Sequence, residues 1–108
     1  MEASSQVIAH YESLSALTGQ MLAAARDGEW DHLISIQQQC GELVAIIKPL
    51  DAGIMLDKAT LQHKKQLINK ILLEDTEIRS RVQTWMSQLE LNMQSNRQEQ
   101  RLLHAYGP

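Results

Sequence analysis

From Leu61 to Met93 one apolar pattern repeats at intervals of three and four residues: Leu61, Ile68, Ile71, Leu72, Ile78, Val82, Trp85, Met86, Leu89 and Met93. That spacing places the residues on one face of an α-helix. Asp57 is a good N-cap for it, so a single helix is predicted from about 58 to 94. At ~1.5 Å per residue such a helix is more than about 50 Å long. A chain of 108 residues can build little else of that length, so one end of the helix must overhang or pack against another element. Composition narrows the fold further. Aromatic residues make up 4%, with no Phe, and there are five Gly and two Pro. Sheets favour aromatic and β-branched residues, so a barrel or sandwich is excluded. Disorder is excluded as well, because 44% of residues are apolar and the net charge is only -3. The prediction is an all-α protein forming one domain over residues 1–108.

Upstream, Val7, Ile8, Tyr11, Leu14, Leu17, Met21, Leu22 and Ala25 form a second helical face, predicting a helix over 5–26 capped by Ser4 or Ser5. Asp27-Gly28 supplies a left-handed stop. A further helix follows at once over 29–48, with Glu29 and Asp31 at its positive end and Trp30, Leu33, Ile34, Cys40, Leu43, Val44 and Ile47 on its apolar side. Pro49 restricts Lys48 and is expected to end it. So short a link implies an antiparallel hairpin. Residues 49–57 read as a loop anchored by Ile54 to Leu56. After the long helix, Ser95 with Gln98, or Asn96 with Glu99, matches a capping box that starts a short helix over 97–105. The architecture is an antiparallel helical hairpin plus a long third helix and a short C-terminal one, a small helical bundle.

Several function classes are disfavoured. Cys40 is the single cysteine, so no internal disulfide can form, which fits a reducing cytoplasm. No stretch reaches the ~18 apolar residues of a membrane span, and Met1 to Ser5 lacks the character of a signal peptide. Net charge is -5 over residues 1–54 and +2 over 55–108. The bases of the second half are interleaved with acids and have no aromatic platform, so direct nucleic-acid binding is weakly indicated and attraction between the two halves is the simpler reading. His10, His32, His63 and His104 are never three or four residues apart. Glu29 and His32 form one Glu-x-x-His, whereas a di-iron bundle needs two. With no phosphate loop and no nucleophile elbow, the chain reads as a non-enzyme with no cofactor and no metal.

Two features carry more information. On ~100° per residue, Asp75 and Lys64 lie within about 20° and 40° of Ile68, on the apolar stripe itself. Either they pair with opposite charge where the stripe leaves the hairpin, or this part of the stripe is an exposed, partly polar binding surface. Asp75 can reach Arg79, and Glu77 can reach Arg81, at i,i+4. The last helix is marginal. Two turns do not hold themselves together in water. Burial of Leu102, Leu103 and Tyr106, at roughly 1.5–3 kcal/mol each, is comparable to the ~1–2 kcal/mol per residue of backbone ordering. Such a helix can be a packed lid, a frayed tail, or a segment that a competitor displaces.

The Gly28-Glu29-Trp30-Asp31 turn with Leu33, the long helix with Ile71-Leu72 ahead of Asp75 and Ile78, and the closing Ala105-Tyr106-Gly107 together resemble the FliT family of flagellar type III export chaperones. The resemblance covers nearly the whole chain. It implies a cytoplasmic helical chaperone that binds the C-terminal region of the filament cap protein, prevents its premature assembly, and delivers it to the type III export apparatus and its ATPase complex. Some family members also bind the flagellar master transcription regulator. By position, the resemblance implies a partner-binding face of Ile68, Leu72, Asp75, Ile78, Val82 and Trp85, under an autoinhibitory lid of Leu102, Leu103 and Tyr106. The rival reading is a self-assembling structural or regulatory module with the same stripe as a homodimer seam.

Overall fold

The computed structural model describes residues 2–92 and 96–106, with side chains described over 5–88 and 100–106. Four helices form: α1 (Glu2–Asp27), α2 (Trp30–Asp51), α3 (Lys58–Asn92) and α4 (Asn96–Tyr106). No strand occurs among the described residues, and no helix there is long and apolar enough to cross a membrane. The molecule measures 53 × 21 × 20 Å, so the 35-residue α3 sets its length.

Helix α1 begins at Glu2, which places the expected caps Ser4 and Ser5 inside it. No Gly or Pro interrupts these residues, and first-turn donors can be satisfied by water. Its end follows the predicted device. Gly28 takes φ 72°, the Gly28 N–H donates to the Ala25 carbonyl at 3.3 Å, and the Glu29 N–H donates to the Ala24 carbonyl at 2.9 Å. This is a Schellman closure, which a Cβ at position 28 would strain. Glu29 sits just outside α2 and its side chain makes no cap bond.

Helix α2 corrects the expected stop at Pro49, because it runs on to Asp51 with the proline inside it. Pro49 forfeits its N–H bond to the preceding turn, but the final turn is gripped from outside. The Asp51 carboxylate accepts bonds from the Tyr11 hydroxyl at 3.0 Å and from the Lys64 ammonium at 2.8 Å to each oxygen. In the loop, Ile54 and Leu56 are half-buried, whereas Met55 is 94% exposed and anchors nothing. Asp57 caps α3 as expected, its Oδ1 accepting from the Thr60 N–H at 2.7 Å. Bonding from the Thr60 side chain, and then from this N–H, holds the Asp57 carboxyl below its ordinary pKa.

Helix α1 packs against both α2 and α3, while α4 packs against α2 and α3 on the opposite side. Cross-links fix the directions. Tyr11 and Lys64 meet near one end and Arg26 and Glu77 near the other, so α1 and α3 run parallel and α2 antiparallel to both. Helix α4 runs parallel to α2, with Arg101 on Asp31 and Tyr106 on Met21. The contiguous core lies at the hairpin-turn end: Met21, Leu22, Ala25, Trp30, Leu33, Ile34, Ile36, Ile78, Val82 and Leu102. Met93 and the capping residue Ser95 lie outside the described residues, as does the side chain of Leu89.

Candidate partner-binding groove

Because α1 lies beneath both, α2 and α3 form the walls of a groove with α1 as its floor. Helix α4 fills one half of it. Leu102 is fully buried against the cluster that contains Ile34, Ile78 and Val82. The adjacent Leu103 is 43% exposed, because consecutive residues on a helix point ~100° apart and Leu102 takes the inward position. Tyr106 is half-buried. Its hydroxyl donates to the Met21 sulfur at 3.3 Å, and the Arg79 guanidinium lies 5.5 Å from its ring centroid. Burial, then the nearby Asp75 charge, pushes its phenol up to about 12 against the opposing pull of Arg79.

The stripe on α3 is divided by this helix. Ile78 and Val82 are fully buried, Leu72 is 58% exposed, and Ile68 is half-buried. Trp85 is half-buried and stacks on Trp30, with centroids 5.5 Å apart and planes at 22°. Its indole N–H is buried without a hydrogen-bond partner among the described residues. The six stripe residues therefore do not form one open face. Those beyond Asp75 are covered, and those before it are accessible.

Both charges on the stripe are paired. Lys64 is held by Asp51, and the pair is mostly withdrawn from solvent, with side chains 18% and 25% exposed. Lys64 also sits 5.4 Å from the Tyr11 ring centroid. Its bonds, with that of Tyr11, lower the Asp51 carboxyl. Tyr11, which the sequence suggests is plain core, is thus a polar clasp between α1, α2 and α3. Asp75 accepts from Arg79 at 2.8 Å, which fits the i,i+4 expectation. Glu77 accepts from Arg81 in the same way at 2.8 Å, and also from two nitrogens of Arg26 on α1 at 2.9 and 3.0 Å. These guanidinium bonds hold its carboxyl down at about 2.

Cys40 is half-buried against the core, and burial raises its thiol although a Thr18 bond opposes this, so the thiolate is disfavoured. Glu29 and His32 are both exposed, and no cluster of three His, Cys, Asp or Glu side chains suited to a metal occurs among the described residues. What the groove offers is apolar burial between two helical walls, with charge at its margins.

The match to known proteins follows the same extent. The family model for flagellar protein FliT matches residues 8–108. A flagellar protein FliT of Cronobacter sakazakii is 29% identical over 101 residues, which cover 91% of this chain and 81% of that relative. No solved structure is significantly similar to the chain.

Proposed function

The chain belongs to the FliT family of flagellar proteins, and from that premise we propose that it is a non-enzymatic cytoplasmic export chaperone with a self-covered binding groove. It binds the C-terminal region of the filament cap protein, keeps that subunit from assembling early, and delivers it to the export apparatus and its ATPase complex. The flagellar master transcription regulator is a further partner under this reading. The binding face comprises Ile68, Leu72, Asp75, Ile78, Val82 and Trp85, and α4 is the displaceable lid, acting through Leu102 and Tyr106.

One observation carries the reading: among the described side chains of α4 only Leu102 is fully buried, and it lies in the core cluster that holds Ile78 and Val82. Tyr106 adds a half-buried contact with Met21 and Arg79, and the remaining described tie is weak. The Arg101–Asp31 pair has side chains 49% and 72% exposed, and such pairs contribute roughly 0.2–1 kcal/mol. A fully buried Leu contributes roughly 1.5–3 kcal/mol. Against these stands ordering of an 11-residue helix too short to persist alone. Truncation after Gln94 tests this. Apparent affinity scales with the fraction of open protein, so a lid open about 1–10% of the time predicts roughly 10- to 100-fold tighter binding of a cap-protein C-terminal peptide by calorimetry. Unchanged or weaker binding by a folded truncation would sink the lid.

The exposure of Leu72 and Leu73, at 58% and 74%, favours one rival, a homodimer seam along α3. Light scattering at several concentrations separates them. A monomer that captures the peptide supports the chaperone, and a tight dimer that excludes it supports the rival.

A further inference from the structure

The groove is longer than the helix that covers it. Helix α4 has 11 residues and spans about 17 Å, whereas the 22 residues of α2 span about 33 Å. Helix α4 ends at Tyr106, over Arg79. On α3, Ile68 and Leu72 fall in the same ~80° sector as Asp75 and Arg79, so the wall that meets Tyr106 continues past it. On α2, Gly41, Val44 and Lys48 fall in the sector of Ile34 and Gln37, which line a hollow with Gln100, Arg101 and Ala105 of α4. No described residue covers this continuation. On its α2 side lies a hollow of about 420 Å³ with Tyr11 and the buried Leu14 of α1 below it and Val44, Ile47, Lys48 and the Lys64-paired Asp51 of α2 beside it.

Two independent observations say what fits there. Gly41 sits inside α2, where glycine is less favourable than alanine, and a Cβ added to it would meet nothing within 4 Å. No packing within the chain needs a glycine at this position, but it lets another backbone approach closely. The second observation is charge. Lys64 is taken up by Asp51 and Lys70 by Glu74. Lys48 on α2 and Lys65 on α3, the latter in the sector of Leu72, have no carboxylate within 4.0 Å among the described residues. One basic group therefore flanks each side of an apolar floor.

We propose that this open half of the groove docks an amphipathic helix whose apolar stripe is flanked by acidic residues, lying end to end with α4 and packed closely over Gly41. The occupant is a helix because the same two walls already hold one. Its flanks are acidic because Lys48 and Lys65 have no counter-charge among the described residues. The inference rests on the reading above that the groove receives a partner. It adds that the partner is engaged on α2 as well as α3, along a stretch of groove that continues beyond the part α4 covers.

The test uses the full chain and three probes: the cap-protein C-terminal peptide, and two synthetic helices sharing one leucine stripe, flanked by Glu in one and by Lys in the other. Gly41→Leu fills open space, so its thermal midpoint stays level or rises while binding of the cap peptide and of the Glu-flanked helix weakens at least tenfold. Lys48→Glu with Lys65→Glu inverts the preference, so that the Lys-flanked helix binds better. The wild type prefers the Glu-flanked helix at least tenfold, and added salt narrows the margin. Equal binding of the cap peptide by wild type and both variants overturns the docking site and leaves the chaperone reading intact. If the cap peptide fails to bind wild type, the chaperone reading falls. The synthetic pair then decides the docking site alone: a Gly41-sensitive preference for Glu flanks upholds it, and no preference overturns it.

Discussion

The two halves of the α2–α3 groove share walls and floor but differ in how they are held together. At the hairpin-turn end, Ile78, Val82, Leu33 and Leu102 are fully buried and Trp30 stacks on Trp85. At the other end Val7, Leu14 and Ile47 are buried too, but a polar clasp of Asp51, Lys64 and Tyr11 joins the three helices, while Leu72 remains 58% exposed and Val44 37%. Apolar burial grows with contact area and has no direction, so the first end can be closed by any helix that fits. The polar clasp fixes the separation of three helices through a few directed bonds and leaves apolar surface between them uncovered. The larger contiguous core therefore lies at one end and the more exposed apolar surface at the other.

Matched substitutions on α3 put that contrast to its hardest test. Val82→Asp buries an unpaired carboxylate and should cost about 3–5 kcal/mol, seen as a large fall in the thermal midpoint. Leu72→Asp on the same stripe should change stability by no more than about 0.5 kcal/mol, while weakening peptide binding. Similar stability losses at the two positions would erase the distinction between the halves. The clasp is tested next. Lys64→Ala leaves Asp51 with the Tyr11 bond alone in a partly buried setting and should cost about 1–3 kcal/mol. Its loss should appear as faster amide exchange in the last turn of α2, beyond Pro49, ahead of any change around Trp30.

The smallest effect is a pH dependence. Glu77 joins α1 to α3 next to the closed half, and its folded-state carboxyl titrates at about 2, well under its ordinary 4.5. A depressed carboxyl stabilises above its unfolded pKa, and that contribution is lost as the pH falls through the folded value. Thermal midpoints of wild type should thus decline between about pH 4.5 and about 2 by more than those of Glu77→Gln. Parallel curves would remove Glu77 from the account.

Much of the architecture is legible in the chain because its signals are local. The periodicity of α3, the Asp57 cap and the Gly28 turn each depend on residues a few positions apart, and each is realised as read. Pro49 is misread for the opposite reason: what holds the helix beyond it is a tyrosine 40 residues away. The same holds for the stripe. Ile68, Leu72, Ile78 and Val82 are indistinguishable by period, and only the landing place of α4 makes two of them interior. Leu102 and Leu103 are adjacent and equally apolar, yet one is buried and the other faces outward. Lys64 and Asp75 stand out in the sequence because charge interrupts an apolar face, and both have partners. Gly41 carries no local signal at all, since its meaning depends on the empty space beside it.

The Trp30–Trp85 stack has a practical consequence. These are the only tryptophans in the chain, and their rings face each other 5.5 Å apart at 22° across α2 and α3. Two indoles that close couple their transitions and quench differently from separated ones, so the protein contains its own optical ruler for the width of the groove. Any event that spreads the walls at the covered end can be followed by fluorescence or circular dichroism on the unlabelled molecule, while an event confined to the open end leaves that signal unchanged.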